Sequence, residues 1–134
     1  TSEEDLTFAN ARPKNRWGQL FYCLCVNANK YIEQKIPPID LLMKSSGNII
    51  IGTDSLASNY QLNILEEIKS IQQETNYGVP LQTLLRWATF NGAKALQLDD
   101  LAGSFDKGKR PGIVLIEGLN NLQTTPQSCS RRIL

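Results

Sequence analysis

The sequence contains no histidine among its 134 residues. A Ser-His-Asp or Cys-His nucleophile system therefore cannot be assembled from this chain. A catalytic zinc or iron site normally uses three protein ligands, and imidazole is their usual donor. One aspartate cannot hold a transition metal alone, so a metal-binding carboxylate here would need ligands from elsewhere.

Cysteine is scarce and is not spaced for a structural role. Cys23, Cys25 and Cys129 are odd in number and include no Cys-x-x-Cys pair. This argues against a disulfide framework and against a zinc ribbon. We expect buried, inert thiols in a reduced compartment.

Charge of one sign and long apolar runs are also missing. The chain has 14 basic and 13 acidic residues in an interspersed pattern, for a net charge of +1, so we expect no nucleic-acid partner. No apolar run reaches the roughly 18 residues that a membrane span needs. The N-terminal stretch TSEEDLTF is acidic where a secretory signal is basic. These features predict a single cytoplasmic domain with no membrane partner.

The first part of the chain predicts a helix and then a strand. Ser2 begins an S-x-x-D spacing that is typical of a helix start, and Pro13 should follow the helix end. Aromatic and apolar residues over 17–25 predict a strand, and the polar stretch over 26–35 predicts a loop.

A second helix and strand complete a βαβ unit. Pro37 and Pro38 should open a helix that Gly47 ends. The isoleucine run within 48–53 predicts a strand that is buried on both faces. Two strands joined by a helical crossover should lie parallel, with a right-handed connection.

The middle of the chain predicts a long amphipathic helix. Ser58 and Gln61 have the spacing of a capping box. The apolar stripe after them consists of Leu62, Leu65, Ile68 and Ile71, with Ile64 beside it, while Glu66, Glu67 and Lys69 should face water. The helix should end before Gly78.

The remainder predicts a further helix and a small β-structure. Pro80 should open a helix, and Thr89 should cap another turn or two through Ala95. A strand is expected over 113–116, at the edge of a small β-structure. The tail from Asn120 is polar and weakly patterned.

Asp54 is the best candidate for chemistry. It lies in the stretch NIIIGTDSLASN, shortly after the isoleucine strand, where Gly52 lets the backbone bend. The C-terminal ends of buried parallel strands form the floor of active sites in α/β folds. A carboxylate here could instead be a turn or cap residue. However, Ser58 already provides a cap, which leaves Asp54 without an obvious structural task.

Four segments, in order, resemble the metal-dependent amidohydrolase superfamily, in particular its cytosine deaminase, guanine deaminase and chlorohydrolase-like branch. They are CLCVNANKYIE at 23–33, GTDSLASN at 52–59, LLRWATFNGAKALQLDD at 84–100 and GSFDKGKRPGIVLI at 103–116. The first is similar to the Cys-Pro-x-x-Asn segment after barrel strand seven, with Val26 in place of the proline. Each string alone is weakly specific, whereas their order and spacing together are fairly specific.

The resemblance implies an α/β fold, the C-terminal part of a (β/α)8 TIM barrel. Residues 1–98 would hold the last two strands and their helices, and 99–134 would hold a strand or two of an accessory β-sandwich and the tail. Asp54 matches the strand-eight aspartate, which in this family ligates a divalent metal, zinc or iron, and takes a proton from the metal-bound water. Ser55, Ser58, Asn59 and Asn29 would be substrate-pocket candidates, although turn and cap roles suit the first three better.

The same resemblance places the family's metal-binding histidines upstream of Thr1. The chain would then be a fragment that is inactive by itself and binds no metal alone, and that acts on C–N bonds of a small molecule only in the complete enzyme. The alternative is a non-catalytic remnant that serves as a structural or interaction module. Both hypotheses predict self-association or a missing N-terminal segment, because unpaired strand edges and apolar faces favour association.

A doubly wound α/β domain that binds a small polar ligand at residues 52–58 is the remaining alternative outside the superfamily. Such a domain needs a phosphate-binding glycine loop. Neither G-x-G-x-x-G nor a Walker loop is present in the sequence, so this alternative ranks lowest.

Overall fold

The computed structural model describes residues 1–11, 18–45 and 48–134. Helices are α1 (Glu3–Ala11), α2 (Val26–Glu33), α3 (Ile39–Lys44), α4 (Ile64–Glu74), α5 (Leu81–Arg86) and α6 (Gly92–Ala95), with a π-helical turn at Trp87–Asn91 between the last two. Strands are β1 (Phe21–Leu24), β2 (Asn48–Ile51), β3 (Val114–Glu117) and β4 (Cys129–Arg132).

The predicted pair of parallel strands is confirmed. β1 pairs in parallel with β2, and Cys23 lies opposite Ile50 while Leu24 lies opposite Ile51. α2 and α3 lie between the two strands in the sequence, so the unit is a βαβ crossover. The start of the first strand prediction at Trp17, together with Pro13 and Gly47, lies outside the described residues.

The isoleucine strand is less enclosed than the sequence predicted. Ile49 and Ile51 are buried, but Ile50 is only half-buried. Its neighbour Cys23 on β1 is exposed. The prediction of burial on both faces was wrong for this chain, because the core side chains pack on the face that carries Leu24, Ile49 and Ile51.

The hydrophobic core joins this face of the sheet to the helices. Its fully buried members include Val26, Ile71 and Leu84, from three different helices, each with 0% of its surface exposed. These side chains fix the helices against the sheet, since apolar burial is the main stabilising term in folding. The strand ends are thereby held in place.

The polar loop predicted over 26–35 is wrong, because α2 forms there. Val26 and Ala28 turn inward and are buried, while the polar residues between and after them are more exposed. The helix ends at Glu33, and the C-cap residue Gln34 has a left-handed φ of 53°, a common helix termination. Tertiary packing of a few small apolar residues outweighed the polar composition.

The predicted capping box at Ser58 is also wrong. α4 begins only at Ile64, and the Asn63 side chain accepts a hydrogen bond from the Leu65 N–H at 2.9 Å. Ser58 lies in the preceding turn. Asparagine at this position is among the strongest N-caps. By contrast, the S-x-x-D start of α1 is confirmed, since Ser2 and Asp5 bond each other reciprocally.

Thr89 does not cap a new helix as predicted. It lies inside the π-helical turn, where its hydroxyl donates to the Leu85 carbonyl at 2.7 Å. Asn91, in the same turn, is buried and donates its side-chain amide to the Ile49 carbonyl at 2.8 Å. The wider turn lets this amide reach the strand that leads to Asp54.

A second sheet follows near the C-terminus. β3 pairs antiparallel with β4, so the expected small β-structure is confirmed, although the tail was not recognised as its partner strand. The β4 sequence CSRR is exposed along its whole length, which explains the weak pattern. No helix in the described parts of the chain is both long enough and apolar enough to cross a membrane. The boundary at 98/99 stays a prediction.

Candidate functional site

Asp54 lies at the edge where both parallel strands end. The Gly52 N–H donates to the Leu24 carbonyl at 2.9 Å, so strand pairing continues just past Ile51. Asp54 follows in the adjoining loop. Since parallel strands end at the same edge, the residues after β1 share this edge with the loop after β2.

The Asp54 side chain is exposed and its backbone is left-handed, with φ at 58°. Aspartate tolerates this conformation better than most residues. Its Oδ2 accepts a hydrogen bond from the Ser58 hydroxyl at 2.8 Å. Oδ1 takes part in no hydrogen bond found among the described residues. The carboxylate is therefore held in one orientation and keeps an oxygen available to a ligand.

Ser58 and Ser55 support this orientation from within the loop. The Ser58 hydroxyl lies 3.3 Å from the Ser55 hydroxyl and 3.2 Å from the Ser55 carbonyl. Ser58 is 7% exposed, whereas Ser55 is exposed. Of these two pocket candidates, only Ser55 presents a surface that a small molecule could reach in this chain. Ser58 instead orients Asp54.

Asn59 is buried and braces the loop. Its Nδ2 donates to the Thr53 carbonyl and to Glu67 Oε1, each at 2.7 Å. Asn59 is 5% exposed. It therefore fixes the residue that precedes Asp54, and its place as a pocket residue stays a prediction.

Asn29 lies apart from this cluster, on α2. Its side chain is half-buried, and its N–H donates to the Cys25 carbonyl at 3.0 Å. No hydrogen bond found in the described parts of the chain joins it to Asp54 or to the other candidates. α2 follows β1 directly, so Asn29 belongs to the segment after β1, whereas Asp54 belongs to the loop after β2.

Glu67 is the residue that sequence reasoning missed. It was expected to face water together with Lys69, but it is 0% exposed, and Lys69 is 8% exposed. Its carboxylate accepts from Asn59 and from the Asn27 N–H, the latter at 3.0 Å. A signal existed: Glu67 lies four residues before Ile71, and residues at that spacing share a helix face.

The thiols of Cys23 and Cys25 flank Gly52. Their sulfurs are 3.8 Å apart, and a Cβ at Gly52 would lie 2.7 Å from Cys23 Sγ and 3.2 Å from Cys25 Sγ. A side chain at this position would force the Cys23 thiol to shift, so glycine is favoured here. The expectation of buried thiols was wrong, since Cys23 and Cys129 are exposed and Cys25 is partly so.

The two neighbouring thiols differ in acidity. A hydrogen bond from Cys25 is the main reason that the pKa of Cys23 falls to about 7. The same bond and burial raise the pKa of Cys25 above its usual range. Cys23 is thus the more readily ionised of the pair.

Asp54 is the candidate metal ligand, and the described residues around it offer no complete metal centre. Among the described residues, no three His, Cys, Asp or Glu side chains are grouped so that they could hold a metal ion. Asp54 fits as one oxygen ligand, because its carboxylate is exposed and oriented. The described donor set therefore fits a shared metal site and does not fit a complete one.

Two surface hollows lie away from Asp54. One of about 460 Å³ lies beside Lys30, Gln34 and Glu74, and another of about 290 Å³ lies beside Gln19, Phe21 and Lys94. Both are open and lined mainly by polar or charged side chains, unlike the apolar clefts that usually bind small molecules. We therefore place the candidate site at Asp54, on the strength of strand-end geometry.

The amino-acid sequence is similar to those of known deaminases. A 5-methylthioadenosine/S-adenosylhomocysteine deaminase from Thermoanaerobacter pseudethanolicus is 40% identical over 96 residues, which are 67% of this chain and 22% of that protein. One from Saccharophagus degradans is 31% identical over 109 residues, 76% of this chain and 24% of that protein. The chain thus spans about a quarter of the length of these curated relatives.

A solved structure is also similar. An adenosine deaminase from Xanthomonas campestris with bound zinc superposes with a TM-score of 0.70 and 28% sequence identity, covering 95% of this chain and 29% of that one. A family model described as the amidohydrolase family matches residues 7–132. The predicted family is confirmed, and this chain belongs to the amidohydrolase family.

Proposed function

We propose that this chain is the C-terminal part of a metal-dependent amidohydrolase that cleaves C–N bonds, with deamination as its reaction class. The observation that carries the proposal is Asp54, an exposed carboxylate at the end of β2 whose orientation is set by Ser58. Membership of the amidohydrolase family and the deaminase relatives support it.

Asp54 has two tasks in this proposal. Its unengaged oxygen is one metal ligand, and the carboxylate accepts a proton from the attacking water and returns it to the leaving amine. A bound divalent metal, zinc or iron, would supply a water made acidic enough to react near neutral pH. Ser58 steadies the carboxylate during these transfers by holding Oδ2.

The remaining metal ligands would come from outside these 134 residues. The chain has no histidine, and the matched segment makes up only about a quarter of the length of its relatives. In this arrangement β1 and β2 are the last two strands of a (β/α)8 barrel, and β3 and β4 belong to an accessory β-sandwich. The exposed face around Cys23 would then line the barrel interior.

Adenosine derivatives are the first substrates to test. The similar proteins are named as deaminases of 5-methylthioadenosine, S-adenosylhomocysteine or adenosine. In this proposal Ser55, in the loop after β2, and Asn29, on α2, would contact the substrate. Ser58 and Asn59 would shape the same pocket from behind.

The test uses the longer polypeptide that includes this segment. We expect ammonia release from at least one of these three compounds, loss of activity after chelation, and recovery with zinc or iron. The 134-residue chain alone serves as the control and should release none. Turnover by the 134-residue chain without added polypeptide would contradict the proposal, as would metal-independent turnover by the longer one.

The second candidate is a non-catalytic interaction module. It is favoured by large apolar side chains that are exposed beside the site, namely Leu56, Tyr60 and Leu62, at 67%, 80% and 57%. Such a patch promotes association with another chain or another copy. Size-exclusion chromatography with light scattering of the 134-residue chain measures its self-association. A stable monomer without metal would count against both an incomplete barrel and an interaction module that self-associates.

A further inference from the structure

Glu67 is a carboxylate that is fully enclosed by protein. It lies on α4 with 0% of its surface exposed, although glutamate is rarely buried unless it is paired. None of the four ion pairs found among the described residues includes it. Its stabilisation must come from hydrogen bonds, because an unsatisfied buried charge is strongly unfavourable.

One carboxylate oxygen binds the start of α2. The Asn27 N–H donates to Glu67 Oε2 at 3.0 Å, and the N-cap residue Cys25 makes no side-chain capping bond. Glu67 therefore caps α2 from a different helix. The positive end of the helix dipole favours a negative charge at this position.

The other oxygen acts on the Asp54 loop through Asn59. Asn59 Nδ2 donates to Glu67 Oε1 and to the Thr53 carbonyl, each at 2.7 Å. Thr53 directly precedes Asp54, and Ser58, which holds the Asp54 carboxylate, directly precedes Asn59. Both ends of the loop are thus tied to one buried group.

We propose that Glu67 is a positioning residue for Asp54. By accepting from Asn27 and Asn59 together, it fixes the segments that follow β1 and β2 relative to each other, and so sets where the Asp54 carboxylate points. The role of Asp54 in this statement rests on the proposed function. The positioning itself is a property of the loop and can be measured without metal or substrate.

Glu67→Gln is the first test variant. Both neighbours of the carboxylate are donors, so the new amide group must face one of them. If Asn59 turns its own amide to accept from the glutamine, Nδ2 leaves the Thr53 carbonyl. If the new amide instead faces the Asn27 N–H, the start of α2 loses its acceptor, and one group no longer holds both segments. Glu66→Gln is the matched control, because Glu66 lies on the same helix and only pairs with Lys69 at 2.7 Å.

Amide hydrogen exchange in the longer polypeptide is the metal-free measurement. For Glu67→Gln we expect faster exchange over residues 53–59 and at the start of α2, and no change for Glu66→Gln. Unchanged exchange over 53–59 would overturn the proposal. If the longer polypeptide binds no metal, the proposed function fails. Amide hydrogen exchange still decides whether Glu67 positions the loop.

Metal and kinetic measurements separate positioning from simple stabilisation. We expect Glu67→Gln to alter the visible spectrum of the cobalt-substituted protein and to lower kcat by roughly ten- to a hundredfold, as misplacement by about 1 Å can. KM should change less. A lower melting temperature with an unchanged spectrum and kcat would show a purely structural role and overturn the proposal.

Asn59→Ala covers the case in which Glu67→Gln does not fold. It removes the link to Thr53 and retains the bond between Glu67 and the Asn27 N–H. Exchange should then rise over 53–59 and stay unchanged at the start of α2. Equal effects on both segments, or none on the loop, would contradict the proposed path from Glu67 to Asp54.

Discussion

The parallel unit, β1 to α6, and the C-terminal hairpin, β3 and β4, are built differently. In the parallel unit, Leu24, Ile49 and Ile51 are buried against helices. In the hairpin, Val114 is 62% exposed and the whole of β4 is exposed. Interior packing therefore fixes the strand ends of the parallel unit, which is where Asp54 lies, while the hairpin contributes little to the core.

Polar contacts join the two regions. Gln72 on α4 is buried, and its Oε1 accepts from both the N–H and the hydroxyl of Thr124, at 2.8 and 2.9 Å. Lys69 reaches the Pro126 carbonyl at 3.4 Å. α4 thus carries Glu67 toward the site and Gln72 toward the hairpin, so one helix serves both regions.

The largest expected effect is a difference in kcat between two aspartate variants, one at the end of β2 and one near the hairpin. Asp54→Asn in the longer polypeptide should lower kcat by about 10²–10⁴-fold, because a proton acceptor is lost. Asp106→Asn, near the hairpin, should leave kcat within about twofold. Ammonia release from the substrate that the parent turns over is the measurement. Equal losses in the two variants would remove the distinction between the regions.

The next largest effect is a difference in stability between a core variant and a hairpin variant. Leu84→Ala should destabilise the protein by about 2–5 kcal/mol, since Leu84 has no exposed surface and truncation leaves a cavity. Val114→Ala, on the exposed hairpin, should change stability by no more than about 0.5 kcal/mol. Urea denaturation followed by circular dichroism measures both. A larger loss for Val114→Ala would show that the hairpin belongs to the core.

Gly52→Ala should have a moderate effect, about 1–3 kcal/mol, because the added methyl group would lie 2.7 Å from Cys23 Sγ. The double variant Gly52→Ala/Cys23→Ala should recover part of the loss, since it removes that sulfur. Cys23→Ala alone is the control. If Gly52→Ala has the same denaturation midpoint with and without the Cys23 side chain, contact with Cys23 Sγ is not the cause of the destabilisation.

The smallest effect concerns the exposed thiols of the two regions. With its pKa at about 7, Cys23 should carry a large thiolate fraction at neutral pH. Alkylation by iodoacetamide should therefore be faster at Cys23 than at Cys129, and should level off with rising pH once Cys23 is fully ionised. Cys25→Ala should slow it at neutral pH by removing the hydrogen bond. Peptide mass mapping over a pH series follows each cysteine separately.

The parallel unit was easier to predict than the hairpin, and the reason is periodicity. The isoleucine run predicts β2, and the Leu65–Ile68–Ile71 stripe predicts α4, because apolar residues there follow the pattern of a buried strand or of a helix face. β4 has no such pattern, since its residues CSRR are all exposed. Exposed strands are specified by their pairing partners, which a single sequence does not reveal.

Within the candidate site, Asp54 was singled out from the sequence, whereas the buried position of Glu67 was not predicted. Asp54 follows a strong strand signal and a glycine. Glu67 was assigned to the solvent face because glutamate usually lies there, and its burial depends on donors from Asn27 and Asn59, which are distant in the sequence. The helix cap at Asn63 was missed for a simpler reason: Ser58 offered a competing cap pattern.

The most direct test is a crystal structure of the longer polypeptide with zinc, located by anomalous scattering. We predict an Asp54 carboxylate oxygen at about 2.0–2.2 Å from the metal, with Ser58 still donating to the other oxygen. A zinc ion held without Asp54, or a carboxylate turned away from it, would contradict the account.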